Sequence, residues 1–314
     1  MPILETVTCP LCDSTAYRAE RSGPDYFMHL PGTFTLVCCQ ACGLIFQNPR
    51  PPLDLIGPYY PQQYGSYASA QQGLKGRRGL LGAIVRRGQN KRCALIDQAV
   101  PDTGNARRLL DVGCASGLFL EAMQAHANWQ VEGVELDAQT AHATSERLGV
   151  PVFAGPLEQA RFADHAFDAI TLWDVLEHLH DPLASLHELR RVLRPGGVLF
   201  VRVPNVASYV ARLCGRYWSG YDLPRHMTLF TPRTLGHMLG VAGFRNLLRR
   251  YPSGSYLAAL HSLRFAIDNG LMPLERAAAV HRVLLQPAAR AAAWLPFMLA
   301  DRLAGGSNIE VMVA

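Results

Sequence analysis

Apolar and polar positions alternate with two different periods along the second third of the chain. Short apolar runs stand at "RLLDV" (108–112), "WQVEGVEL" (129–136), "PVFAG" (151–155), "FDAITLWDV" (167–175), "GVLFVRVPN" (197–205) and "FRNLLRRY" (244–251), with "NIEVMVA" at 308–314. Runs apolar on both sides predict strands of a buried, parallel sheet. Between them, near 117–127, 138–148, 182–194 and 232–242, apolar residues recur at helical spacing. The last of these helices has clear punctuation, with Thr231 as N-cap, Pro232 in the first turn and Gly243 as the stop. The fold class expected is α/β: a Rossmann-like, seven-stranded, mostly parallel sheet with helices on both faces. Ligands then bind at the carboxyl ends of the strands.

Outside that region the pattern changes. Residues 1–50 carry strand-like pieces, "TFTLVC" and "GLIFQN", before "NPRPP" breaks the chain. Residues 51–104 hold an aromatic stretch, "YYPQQYGSY" (59–67), then "GLKGRRGLLGAIVRRGQNKR" (73–92) with seven basic residues and no acid. Leu80, Leu81, Ile84 and Val85 predict an apolar helix face there, and the cationic face is expected to be solvated. The core sheet is assigned to 105–251. An Ala- and Leu-rich insertion at 252–306 is expected to form two or three helices, as a lid or a dimer surface, and 307–314 returns to the sheet. Contact of the insertion with a membrane surface, through Trp294 and Phe297, is the less favoured reading.

Composition narrows the class. Hydrophobic content of 49%, charged content of 18% and a net charge of +5 are those of a globular enzyme. Arginine outnumbers lysine 28 to two, a bias given little weight. No apolar stretch reaches the ~18 residues of a spanning helix, and "MPILETVTCPLC" lacks the basic and apolar regions of a secretion signal. A cytoplasmic location is therefore expected. Eight cysteines there argue for metal rather than disulfides. Cys9, Cys12, Cys39 and Cys42 form two C-x2-C pairs with 26 residues between them, the spacing of a tetrahedral four-thiolate zinc site. Four thiolates fill a tetrahedral site and leave no open position, so the zinc is expected to be structural.

The decisive stretch is "RRLLDVGCASGLFLEA" (107–122), where Asp111 is followed by Gly113, Ala115 and Gly117. It lacks the third glycine of the dinucleotide fingerprint, and no Gly-Lys-Ser/Thr follows. An amino-acid tail with a ribose and no diphosphate describes S-adenosylmethionine. Here the chain resembles the class I S-adenosylmethionine-dependent methyltransferases: "LLDVGCASG", "GVELD", "FDAITLWDVLEHLHDP" and "LRRVLRPGGVLF" match that family's motifs. The double knuckle with "NPRP" and tyrosines, and "DLPRHMTLFTPRTL" (222–235), resemble a subgroup with a zinc-binding module that acts on sugars, nucleotide sugars or other small metabolites.

The resemblance implies roles residue by residue. Gly113, Cys114, Ala115 and Gly117 line the methionine and ribose of the cofactor, Asp111 fixes its amino group, and Glu135 takes the ribose hydroxyls with Leu136 beside the adenine. Pro156 stands where many relatives carry an adenine-binding acid, so Leu157 or Glu158 compensates. Trp173 and Asp174 lie against the methionine or the transferring methyl. His226 and His178 are the candidate bases, and Tyr64, Tyr67 and Arg225 the candidate acceptor contacts. The partner expected is a small-molecule methyl acceptor. The alternative is RNA or protein, recognised through the zinc module and the basic helix; the nucleic-acid signal is weak, because aromatic and basic residues do not interleave at the knuckles.

Overall fold

The computed structural model describes all residues except 1–2, 62–63, 65–78, 102–103, 127, 246–247, 253 and 272–273. Tyr67 and the first part of the basic stretch, 73–78, lie outside the described residues, as do the side chains of Leu80 and Leu81.

Seven strands form the main sheet: β4 (Arg107–Val112), β5 (Trp129–Glu135), β6 (Val152–Ala154), β7 (Phe167–Trp173), β8 (Leu193–Pro204), β10 (Leu248–Arg250) and β11 (Asn308–Val313). Their order is β10-β11-β8-β7-β4-β5-β6. The pairs from β6 to β8 are parallel, whereas β11 runs antiparallel to both β8 and β10. The chain order reverses at β4, which starts its own half of the sheet, and the crevice for a ligand opens there.

Helices cover both faces. On one face α1 (Gly79–Ala99) and α2 (Leu118–Gln124) bring Cys93, Ile96, Phe119, Leu120 and Met123 onto Leu109 and Val131. On the other, α4 (Pro182–Val192) and α6 (Pro232–Val241) bury Leu186, Leu189, Leu235 and Met238. Each such side chain, fully buried, contributes roughly 1.5–3 kcal/mol. Helix α3 (Ala138–Leu148) starts at Asp137, whose carboxylate accepts from Thr140 N–H. Helix α6 starts as its sequence announces, with a reciprocal Thr231–Thr234 capping box. Helix α1 departs from expectation. Its packed stripe is Val85, Cys93, Ile96 and Ala99, with Val100 just beyond its end, while Ile84 is half exposed, so the helix runs seven residues beyond the basic stretch to reach the core.

A second sheet has the order β1-β2-β3-β9, built from β1 (Tyr17–Gly23), β2 (Phe34–Cys39) and β3 (Ile45–Gln47) with β9 (Thr228–Leu229). Strand β9 comes from the segment between β8 and α6 and pairs antiparallel with β3, Ile45 opposite Leu229. The N-terminal strands are thereby stitched onto the rim of the main sheet. Between β10 and β11 lie α7 (Ser255–Asp268), α8 (Leu274–Leu285) and α9 (Pro287–Ala304). Short α5 (Tyr209–Cys214) packs on α7. No helix among the described residues is long and apolar enough to cross a membrane.

Candidate functional site

A cavity of about 1070 Å³ opens at the carboxyl ends of β4, β5, β7 and β8. Its floor is the turn after β4. Gly113 has φ 69°, and a Cβ there would stand 2.5 Å from Val175 Cγ2, so only glycine lets the two chains approach this closely. Val112, Gly113 and Ala115 line the cavity. Cys114 and Gly117 do not. The Cys114 thiol packs on Gly133, and a Cβ on Gly117 would meet Thr144 of α3 at 2.6 Å. These two shape the turn from behind the residues that line the cavity.

Asp111 also stands behind the wall. It is 3% exposed, and its Oδ1 accepts a 2.6 Å hydrogen bond from Thr171. Burial pushes its carboxyl up to about 7, against the opposing pull of Thr171 and Arg92. Glu135, at the end of β5, faces the cavity and is held by two backbone donors, Ala115 N at 2.9 Å and Asp137 N at 3.0 Å. One carboxylate thus ties the glycine turn to the start of α3, and its remaining lone pairs suit a ribose diol. Leu136, Pro156, Leu157 and Glu158 continue this end of the wall. Glu158 is not a free adenine partner, for its Oε1 accepts from Ser185 at 2.6 Å.

Trp173 lies under the guanidinium of Arg92, 4.4 Å from the ring centroid, and edge-on to Phe119. Arg92 is therefore packed on the indole, unlike the solvated face expected of this helix, and burial lowers its pKa to about 10. Asp174, in the left-handed region at φ 59°, is clamped by Arg202 of β8, with Nε 2.9 Å from Oδ1. The carboxylate expected beside the methyl group is therefore neutralised by the strand next to it.

The far end of the cavity is roofed by aromatic residues, Phe27, Tyr60, Tyr64 and Trp218, and by Leu257 and Phe265 of α7. His178, Glu177 and His226 line it from below. The Nδ1 atom of His178 lies 3.1 Å from the Arg225 carbonyl and 2.9 Å from the Tyr60 hydroxyl. That of His226 lies 2.8 Å from the Gly220 carbonyl. Burial, then the facing imidazole of His226, pushes His178 down to about 3, and burial likewise lowers His226. Both rings are thus neutral near pH 7, and His178 is a weak proton acceptor.

Arg225, expected at the acceptor, does not line the cavity. It is fully buried, with Nη2 2.6 Å from Asp25 Oδ1 and 2.7 Å from Asp222 Oδ1. Asp222 also accepts from the Tyr64 hydroxyl at 2.7 Å. A charge this deep requires partners at every donor, and the loop before β2 supplies one of them. Away from the cavity, the Sγ atoms of Cys9 and Cys42 are 3.5 Å apart and those of Cys12 and Cys39 are 3.6 Å apart, with all four within 4.8 Å. A tetrahedral zinc with Zn–S bonds of about 2.3 Å sets its sulfurs roughly 3.8 Å apart, so the residues fit the ion. Burial alone would raise the Cys39 thiol, yet backbone N–H groups of Cys42 and Ala41 bring it down to about 7.

The model of a methyltransferase domain family matches residues 84–248, just over half of the chain. The chain belongs to the class I S-adenosylmethionine-dependent methyltransferases. The ubiquinone biosynthesis O-methyltransferase of Parvibaculum lavamentivorans is 35% identical over 102 residues, 31% of this chain and 40% of that protein. The enzyme of the same name from Actinobacillus pleuropneumoniae serotype 7 is 37% identical over 131 residues, 38% and 56% of the two chains. This chain spans about half the length of the curated relatives it matches. Phosphoethanolamine N-methyltransferase 2 of Haemonchus contortus, solved with S-adenosylmethionine, superposes with a TM-score of 0.53 at 16% identity, over 86% of this chain and 62% of that one. That likeness shows the fold alone.

In this methyltransferase three site residues escape a reading of the sequence. Arg202 left a signal, a lone cation inside the apolar run "GVLFVRVPN", which demands a buried acid. Tyr60 was one tyrosine among four in its segment, with nothing to single it out. Asp25 left none, because its partner Arg225 stands 200 residues away.

Proposed function

We propose that this methyltransferase moves the methyl group of S-adenosylmethionine to a hydroxyl oxygen of a small acceptor, a sugar, nucleotide sugar or related hydroxylated metabolite. The observation that carries this reading is the single cavity that runs from Gly113 and Glu135 to the His178–His226 corner under an aromatic roof. Bound cofactor supplies an electrophilic methyl on a sulfonium. Glu135 would hold the ribose, the Gly113–Ala115 turn the methionine, and Leu136 with Leu157 the adenine. What remains of about 1070 Å³ is room for a small ring rather than a polymer. Aromatic walls at Tyr60, Tyr64 and Trp218 suit the apolar face of such a ring, and the polar corner lies where its hydroxyl would lose a proton. Alignment of the two reactants alone supplies about 7 kcal/mol or more of the barrier.

Oxygen as the methylated atom is supported by the relatives, which are named as O-methyltransferases. In the same reading residues 1–50 are a zinc-stapled module, 51–104 the segment that brings Tyr60 and Tyr64 to the roof, and 252–306 a cap whose α7 closes the acceptor end. The lining contributed by Leu257, Ala258, His261 and Phe265 supports the cap over a dimer surface or a membrane contact.

The test supplies methyl-labelled S-adenosylmethionine and fractionated cell extract to the purified protein. Label in polar metabolites, lost on His226→Ala, is the expected result. Label in RNA or protein would overturn the small-molecule reading, and full turnover by His226→Ala would remove that histidine from the reaction.

A further inference from the structure

The acceptor corner gathers three side chains of metal-ligating type. Glu177 and His178 are neighbours in the short turn Leu176–His178, and His226 arrives from the segment before β9. One potential ligand atom of each lies within 4.8 Å of the others. Both imidazoles have Nδ1 against a backbone carbonyl, Arg225 O and Gly220 O. A carbonyl only accepts, so the Gly220 contact puts the proton of His226 on Nδ1 and leaves Nε2 its lone pair; His178 takes the same tautomer when the Tyr60 hydroxyl, 3.5 Å from the Arg225 carbonyl, donates there instead of to the ring. Metal-bound histidines are oriented in this way, through the ring nitrogen that does not ligate. Tyr60 adds a second contact to His178 Nδ1.

Glu177 is the independent observation. It is 1% exposed, lines the cavity, and neither carboxylate oxygen has a hydrogen-bond partner among the described residues. Arg202, a cation whose field reaches it, is committed to Asp174. A buried carboxylate without donors is held by a cation or else keeps its proton. Asp222 Oδ2, 3.9 Å from His226 Nε2, adds negative charge at the same corner.

We propose that Glu177, His178 and His226 form a site for a divalent transition-metal ion with an open position toward the acceptor end of the cavity. Two imidazole nitrogens and one carboxylate oxygen suit zinc, manganese or cobalt, whereas magnesium and calcium take oxygen ligands. The site is separate from the four thiolates. It rests on the reading of the acceptor as a hydroxyl compound, whose oxygen it would ligate. A hydroxyl ligated there gives its proton to water. The oxygen's electron pair then forms the C–O bond as the S–CH3 bond breaks, with that bonding pair going to sulfur.

Cobalt(II) is the probe, titrated into the metal-stripped full-length protein. The expected result is one equivalent of Co²⁺ bound without thiolate-to-cobalt charge transfer, distinct from any bound by the cysteines. Glu177→Gln and His226→Gln each lose that equivalent while still binding S-adenosylmethionine. Tyr60→Phe keeps it with affinity lowered roughly 10- to 100-fold, as for other partners of a ligating histidine. A wild-type protein whose only cobalt shows thiolate charge transfer overturns the proposal, and so does retention of the equivalent by both glutamine variants. Methyl transfer at full rate with this site empty overturns it while leaving the hydroxyl acceptor standing. Binding as expected without transfer to any hydroxyl compound supports the site and removes the acceptor reading.

Discussion

Single residues in this protein do two jobs at once, and the substitutions that separate the jobs are informative. Glu135 accepts from Ala115 and Asp137 while facing the cavity. Glu135→Gln keeps the shape and removes the charge. Hydrogen bonds to a charged group contribute about 1.5–3 kcal/mol, so S-adenosylmethionine affinity is expected to fall roughly 10- to 100-fold by calorimetry. An unchanged Kd would mean the ribose lies elsewhere. Asp111 is a case of linkage. Its folded pKa, about 7, is raised above the ordinary carboxylate value by burial. The stability it contributes is therefore present below pH 4 and lost as pH rises through 7. Asp111→Asn keeps an acceptor for Thr171 and removes the titration. In the cofactor-free protein, the variant's stability relative to wild type is expected to rise between pH 4 and pH 8, measured by urea unfolding. A difference flat across that range would contradict the burial argument.

At the scale of elements, the strands of the main sheet and the start of α6 were legible because each is written locally. Apolar runs bounded by turns mark the strands, and Thr231-Pro232 marks the helix. The glycine turn was legible in kind but not in detail. Which of its residues face the ligand depends on Val175, Thr144 and Gly133, each brought in from another element. Gly113→Ala and Gly149→Ala put the same methyl at similar φ, 69° and 65°. Nothing lies within 4 Å of the position at Gly149, so its change is expected to cost about 1–2 kcal/mol, the left-handed penalty alone. Gly113→Ala adds the clash with Val175 and is expected to cost a further ~1–3 kcal/mol and to weaken cofactor binding. Equal costs in urea unfolding would sink this distinction.

For the whole molecule, the sequence hid how the N-terminal strands join the core. Strand β9 lies in the strand-like run "MTLF" (227–230), but nothing local names β3 as its partner, and the Arg225–Asp25 pair closes a loop of 200 residues. Both are long-range facts with no local cause. The four cysteines were legible by contrast, because two C-x2-C pairs carry their geometry with them. Arg225→Met tests the join. It leaves Asp25 and Asp222 buried without their cation, a change expected to cost about 3–5 kcal/mol, or on the order of 10 °C in Tm for a chain of this size. A Tm within a degree or two of wild type would show that the N-terminal sheet is held by β9 and packing alone.

Placement of cofactor and acceptor in one cavity is tested most directly by a crystal structure with S-adenosylhomocysteine. The ribose diol is expected on Glu135, the adenine against Leu136 and Leu157, and the sulfur turned toward the His178–His226 corner. A sulfur turned away from that corner, or an adenosine bound off the β4–β5 crevice, would contradict the assignment of both ends of the cavity.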